Sequence, residues 1–298
     1  MEKVIFLTMH LVSFFDREDI YDCLETMEEM KVNKKAVRIW YLLNQSTRIK
    51  VKTPCGMTDT AEVGDCLGQG TAGAGLVSAA NLDRGLQKFF NKSEKVMKYG
   101  HVRLQPICYQ DDVGTLCADA DMARDQAKQL SQMIKEKALE AHPDKTGYLI
   151  LGSKKFKKKQ ESILKEKPIE FDKFNPEQKT QYKYLGQTLE SNLAKSVEAT
   201  IAERTAKIKG AAIEIKSLVE DLQMQSLGGL VAALELWEKA LVPSLLSGAG
   251  TWLGITKDAV TMCGNLQNFF WRVVLDVPKS CPKVALQCEP AMVGMNGE

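Results

Sequence analysis

The sequence predicts an α+β fold, a sheet with helices on one face over residues 1–190 followed by an all-helical part over residues 191–298. Three observations predict it. Short β-prone runs alternate with helical periodicity as far as Leu189, while beyond Leu193 apolar residues recur at helical spacing. In the first part, one β-prone run stops at two adjacent carboxylates, Asp111 and Asp112, and a second run follows at once. With 298 residues, 44% of them hydrophobic, the chain can bury a real core and has room for about two domains.

Residues 4–15 are apolar and read as a buried strand running into Asp16, with His10 in its middle. Ile20, Leu24 and Met27 then share one helical face, and the acids at residues 16–19 favour that helix's N-terminus. A second helix follows Asn33, with Val37, Trp40 and Leu43 on its buried side, and residues 48–63 read as a hairpin turning through Pro54-Cys55-Gly56. Residues 64–75 are glycine-rich and precede an apolar helix carrying Leu76, Val77, Ala80 and Leu82. Such glycines let backbone approach a ligand in front of a helix N-terminus, although most glycine-rich turns are structural. The runs 102–109 and 113–117 make the acidic hairpin. Ala123, Ala127, Leu130 and Ile134 predict a helix running to His142-Pro143, and residues 148–151 a strand. The plan is βαββαβ, a ferredoxin-like sheet. A lysine-rich loop and a short hairpin around residues 182–189 lead to the helical part. There Val197, Ile201, Ile208 and Ile215 form one stripe, and residues 227–246 and 266–275 form two further helices. The aromatics Trp237, Trp252, Phe269, Phe270 and Trp271 read as core because they sit among aliphatics.

A net charge of +2 announces no global nucleic-acid field, so any basic surface must be local. One stands at Lys154, Lys155, Lys157, Lys158 and Lys159, where a solvated loop and a binding site are equally good readings. Eight cysteines without C-x-x-C spacing and only three histidines supply neither a disulfide framework nor a zinc site. No run is long and apolar enough to span a bilayer, and the first residues lack the basic region, apolar core and cleavage site expected of a signal peptide. The expected compartment is intracellular, nucleus or cytoplasm. The Asp111-Asp112 pair has two readings as well. Carboxylates on a rigid hairpin suit Mg²⁺ and phosphoryl transfer, whereas paired aspartates are also common in solvated turns.

Taken in order, Phe14-Phe15-Asp16 after a strand, Gly68-Gln69-Gly70, Tyr109-Gln110-Asp111-Asp112, Lys145-Thr146 before a strand, and Tyr184-Leu185-Gly186 carry a resemblance. The chain resembles the palm and thumb of reverse transcriptases of the non-LTR, LINE-like retrotransposon type. The resemblance implies a right-hand polymerase palm followed by an all-α thumb, and RNA-directed DNA polymerisation by nucleotidyl transfer with two Mg²⁺ (or Mn²⁺) ions. It implies an RNA template, a DNA primer and dNTPs as partners. Asp111 and Asp112 match the family's metal-binding aspartates, and Lys145 matches the lysine that donates a proton to the leaving pyrophosphate. Phe15 matches the aromatic that excludes a 2′-OH, and Gln69 and Gly70 the motif lining nucleotide and template. Tyr184, Leu185 and Gly186 match the hairpin that supports the primer end, and the lysines 154, 155, 157, 158 and 159 add a nucleic-acid contact.

Two departures bear on activity. Where the family has its first metal-binding aspartate, this chain has His10. An imidazole brings no negative charge and is a poorer partner for Mg²⁺ than a carboxylate, though it suits Mn²⁺ or Zn²⁺. The other reading of His10 is a core histidine in a strand. The chain also begins close to the first palm strand, so the fingers are expected to be largely absent, with a neighbouring polypeptide one possible source of fingers or endonuclease. Two functions stay open: an impaired polymerase module, or a relic that binds nucleic acid or protein without catalysis.

Overall fold

The computed structural model of the chain describes residues 3–45, 48–62, 67, 73–91, 95–221, 227–252, 255–283 and 286. It is a mixed α+β structure that divides into two compact units, Met1–Thr180 and Gln181–Glu298. In the first unit the apolar run after Lys3 becomes the strand β1 (Val4–His10), buried along nearly its whole length. The strand ends at His10 rather than continuing to Phe15, because Ser13 takes a positive φ of 46° and turns the chain into the short helix α1 (Phe14–Arg17). Next come α2 (Ile20–Glu29), capped by the Asp19 carboxylate on the Tyr21 amide at 2.7 Å, and α3 (Lys34–Asn44). On α3, Leu43 faces solvent at 69% exposure, contrary to expectation. Asn44 is buried in its stead, its side-chain amide donating to the Trp40 carbonyl at 2.8 Å.

The strands β2 (Arg48–Ile49), β3 (Lys52–Thr53), β4 (Gly56–Met57) and β5 (Ala61–Glu62) form two small ribbons, β2 with β5 and β3 with β4. The helix α4 (Ala74–Phe90) buries Val77 and Leu82 but leaves Leu76 exposed. The run 102–109 is interrupted near Pro106. Its first part is a separate ribbon, β6 (Lys98–Tyr99) with β7 (Val102–Arg103), and its last part is β8 (Ile107–Tyr109). After β9 (Asp112–Cys117) and α5 (Ala120–Glu136) come β10 (Gly147–Leu151), α6 (Lys154–Glu166) and β11 (Glu177–Gln178). Helix α5 stops at Lys137, short of Pro143, because Ala138 adopts φ 52°. The five-stranded sheet has the order β11-β10-β1-β9-β8, with β1 antiparallel to both neighbours, so its first four strands in sequence follow the βαββαβ plan.

Alternation along β1 decides what each face carries. Ile5, Leu7 and Met9 point into the main core with Val113, Cys117 and Ile150, and α4 and α5 cover this face with Leu82, Leu86, Phe90, Ala127 and Leu130. Each fully buried aliphatic of this kind contributes about 1.5–3 kcal/mol. The opposite face therefore receives Thr8 and His10. Behind α2 and α4 lies a buried polar knot. The Glu18 carboxylate accepts from Asn81 Nδ2 at 3.1 Å, and Lys137 Nζ donates to Asn81 Oδ1 at 2.7 Å and to Asp22 Oδ2 at 3.2 Å.

In the second unit, β12 (Gln181–Tyr184) and β13 (Gln187–Glu190) form a hairpin beside α7 (Ser196–Asp221). The apolar stretch after it is α8 (Leu227–Leu236), a π-helical turn over Trp237–Leu241, and α9 (Val242–Leu246). Pro243 has no N–H to continue an α-helical ladder, which accounts for the widened turn before it. A last helix, α10 (Lys257–Val274), begins nine residues before the expected start at 266, with Thr256 Oγ1 accepting from the Ala259 amide at 3.1 Å. Val197, Ile201, Ile208, Trp237, Leu266, Phe270 and Trp271 are buried together here, while Ile215, Trp252 and Phe269 pack partly buried around them. Six described cysteines are free thiols. No described helix is long and apolar enough to cross a membrane.

Candidate functional site

Three strands bring the site together. Antiparallel pairing places His10 of β1 opposite Asp112 of β9, and Asp112 opposite Tyr109 of β8. Lys145 stands in the turn just before β10, beyond the last β1–β10 pair, Thr8 with Gly147. Residues directly opposite in an antiparallel pair share a face. His10, Asp112 and Tyr109 thus form one row across the end of the sheet, on the face away from the helices, and the turn before β10 brings the Lys145 side chain beside it. The turn delivering Lys145 is tied down locally: the His142 amide donates to the His10 carbonyl at 2.8 Å, and the Thr146 amide to the His142 carbonyl at 2.9 Å. Gln110 and Asp111 make the two-residue tip of the β8–β9 hairpin. Gln110 takes φ 54°, a conformation L-residues adopt at some cost. The Leu11 amide donates to the Asp111 carbonyl at 2.8 Å and holds the tip against β1.

The contacts in the row are specific. His10 Nδ1 is 2.9 Å from Asp112 Oδ1, and His10 Nε2 is 3.3 Å from Asp111 Oδ2 and 3.2 Å from Lys145 Nζ. A bond from the Lys145 ammonium needs a bare Nε2, with the ring proton on Nδ1 toward Asp112, whereas a bond to Asp111 needs a proton on Nε2. His10 is therefore no inert core histidine. Its side chain is 18% exposed, with Asp112 at 25% and Asp111 at 39%, so the group is open to solvent from one side. One ligand atom from each of His10, Asp111 and Asp112 lies within 4.8 Å of the others, an arrangement of the kind that can hold a metal ion. Two carboxylates this close repel each other, less with water nearby, and a cation relieves it. The donor set is one imidazole and two carboxylates. That fits one ion that accepts nitrogen beside oxygen, such as Zn²⁺ or, less well, Mn²⁺, better than a pair of Mg²⁺ ions, which prefer oxygen donors.

The other residues singled out in the sequence lie elsewhere. Phe15 is half-buried on α1, its ring 5.4 Å from that of Phe14, and it packs on two core clusters. Gln69 and Gly70 fall outside the described residues. The five lysines stand on a helix, not a loop: α6 is capped by Ser153, whose hydroxyl accepts from the Phe156 amide at 3.3 Å, and it buries Gln160 and Leu164 at helical spacing. They are remote from the row, because Leu151 pairs with Val4, at the end of β1 opposite to His10. Tyr184, Leu185 and Gly186 belong to the second unit, where Leu185 (φ 49°) and Gly186 (φ 73°) form the hairpin turn. Arg204 holds that turn, donating to the Gly186 carbonyl at 2.8 Å and to the Leu245 and Ser247 carbonyls. Nothing local in the sequence signalled Arg204, nor the Thr146 hydroxyl that accepts from the His10 amide at 3.4 Å.

The chain matches no protein-family model and no curated protein sequence. Among solved structures it is similar to telomerase of Candida albicans in complex with a fragment of telomeric RNA, at 9% identity and a TM-score of 0.46, over 98% of this chain and 47% of that one. Telomerase of Candida tropicalis in complex with such a fragment is similar at 7% identity and a TM-score of 0.43, over 98% and 50%. A truncated apo form from the same organism gives 9% and 0.44, over 64% and 34%. The chain spans half or less of the length of these telomerase chains.

Proposed function

We propose that the chain is the palm and thumb of a retrotransposon-type reverse transcriptase, a nucleotidyltransferase centre altered at His10, whose substrates are an RNA template, a DNA primer and dNTPs. The observation that carries this reading is the row itself. Two adjacent aspartates at a hairpin tip lie beside the end of the central strand of an antiparallel sheet, and a lysine completes the set from the turn before the next strand. The order of the sequence motifs supports the same reading. A divalent cation held by Asp111, Asp112 and His10 would polarise a phosphoryl oxygen. The chain's own residues supply the rest: Asp112 orients the imidazole, and the Lys145 ammonium offers an anionic substrate a positive contact. In-line phosphoryl displacement needs such positioning and charge more than covalent chemistry.

A second reading, a nucleic-acid or protein binding module without catalysis, is favoured by one observation. His10 lies against an oxygen of each aspartate, in the space that metal ions would need. Primer extension on an RNA template separates the two, with Mg²⁺ and with Mn²⁺, on the natural chain, on His10→Asp and on Asp111→Ala/Asp112→Ala. The proposal expects His10→Asp to extend at least about tenfold faster with Mg²⁺, equivalent to ~1.4 kcal/mol of barrier. The double variant should be inert. Equal inactivity of all three chains under both metals would sink the polymerase reading in favour of the binding module.

A further inference from the structure

Helix α3 has two unlike faces. Helical spacing puts Val37, Trp40 and Asn44 on one side, and Val37 and Trp40 pack with Ile20, Cys23 and Met27 of α2 and Val77 of α4. Lys35, Ile39 and Leu42 lie on the opposite side at helical spacing, with Arg38 and Leu43 beside them. All five are exposed, the aliphatics to 58% at Ile39, 55% at Leu42 and 69% at Leu43. Single exposed aliphatics are ordinary, but three together on one face form a patch of the kind that marks an interaction site.

The charge around this face is one-sided. Residues 31–58 hold seven lysines and arginines and no aspartate or glutamate. Among the described residues, Lys34, Lys35 and Arg38 have no carboxylate in ion-pair range, whereas Arg17, Arg84, Lys88 and Lys137 of the same unit each do. We infer that this face of α3 docks an acidic helix of another protein, aliphatic along its seam and rich in glutamate or aspartate at its edges. Helix α3 carries none of the residues assigned to the nucleotidyl-transfer centre, so this docking is independent of the polymerase reading.

Charge complementarity selects the occupant. A second copy of the chain would bring the same cations against Lys35 and Arg38, and like charges juxtaposed across an interface suppress binding. A nucleic acid supplies phosphates, but its bases stack on aromatic rings, and the aromatics of α3, Trp40 and Tyr41, belong to the packed side. A bilayer favours a helix whose apolar sector is unbroken, whereas around the axis of α3 Lys35 stands between Leu42 and Ile39. A cation on the seam of a helix pair is satisfied by a carboxylate at one register, which is a device for choosing a partner. The packing of Val37 and Trp40 holds the face in place before docking, and this lowers the cost of association.

Titration of the full chain with labelled helical peptides, followed by fluorescence anisotropy, tests the assignment. One designed peptide has leucines at i, i+3, i+4 and i+7 flanked by glutamates, and a second has lysines in place of the glutamates. The natural chain should bind the glutamate peptide at least about tenfold more tightly than the lysine peptide. Leu42→Ser and Ile39→Ser should each weaken that binding by about tenfold, as loss of an interface anchor does. Both side chains are exposed, so neither change threatens the fold. Lys35→Glu/Arg38→Glu should reverse the preference, releasing the glutamate peptide and taking up the lysine peptide. Binding of neither peptide by the natural chain, or of both equally, would overturn the inference. So would glutamate-peptide binding that survives the serine and charge-reversal variants, which would put the contact on another basic surface such as α6. Phosphatidylserine-containing vesicles and a single-stranded oligonucleotide are the competing probes. Binding of either that is lost in Leu42→Ser, without peptide binding, would overturn it in favour of a lipid or a nucleic acid. Peptide binding with these signatures but no primer extension removes the polymerase reading alone.

Discussion

Glu18 shows how much one side chain can set the response of this chain to pH. It is 2% exposed, with its carboxylate accepting from Asn81 Nδ2 and Cys23 Sγ. Burial pushes its carboxyl above the usual range, against the opposing pull of hydrogen bonds and of the Lys137 charge. The charged groups closest in this knot are Asp22 on α2 and Lys137 at the end of α5, with Arg84 of α4 bonded to Thr26 at its edge. For an acid whose folded value is raised, the native state holds the proton more tightly than the unfolded chain. Its contribution to stability is fully present below the ordinary glutamate value and is lost as pH rises through the raised one. Urea denaturation across that window should show stability falling with rising pH in the natural chain, and a flatter profile in Glu18→Gln, whose side-chain oxygen can still accept from Asn81. An unchanged slope in the variant would show that Glu18 is not the titrating group.

At the scale of elements, the same knot explains a glycine inside a helix. A Cβ on Gly85 of α4 would come within 2.6 Å of Lys137 Cε, so the glycine makes room for the lysine stem that reaches Asn81 and Asp22. Gly85→Ala gains about 1 kcal/mol of helix propensity but dislodges a partly buried cation, and stranding its partners costs about 1–3 kcal/mol. The substitution is expected to destabilise the natural chain and to stabilise the Lys137→Ala background, a change of sign visible in the urea midpoint. Equal effects in both backgrounds would show that the two positions are not coupled. The same contrast between local and distant causes separates what was readable in the sequence. The core stripe of α5 and the burial of β1 follow from local periodicity, and both appear as expected. The end of α5 at Lys137, the exposure of Leu43 and the helical state of residues 154–159 depend on a backbone angle, an amide returning to Trp40, and a cap with buried residues beyond the lysines. At the site, the Asp111-Asp112 pair could be named from residue types, whereas Lys145 and the place of His10 came from the resemblance to reverse transcriptases. That His10 and Asp112 face each other is a property of register across 102 positions, and the turn before β10 brings Lys145 in over 135 positions; neither leaves a local trace.

Across the whole molecule, a net charge of +2 hides an uneven distribution of charge within the first unit. Lys154, Lys155, Lys158 and Lys159 are exposed on the first turns of α6. Like charges at a helix N-terminus oppose the helix dipole, so they are not placed there for the helix's own stability. This end of the helix follows Leu151, which pairs with Val4 six residues along β1 from His10, and six strand residues span about 20 Å. At physiological salt the Debye length is about 8 Å, so the lysines and the His10 cluster do not feel each other's field. Nucleic-acid binding through α6 and metal binding at His10 should therefore separate cleanly. Affinity for a single-stranded oligonucleotide should fall as salt rises, and replacing these four lysines by alanine should reduce the log–log slope by about 0.7 for each phosphate no longer neutralised, while Mn²⁺ affinity stays unchanged. A salt slope unaltered by the four substitutions would mean that α6 touches no phosphate. Its lysines would then serve only to keep an otherwise amphipathic helix soluble, and any nucleic acid would have to be held by other surfaces of the chain.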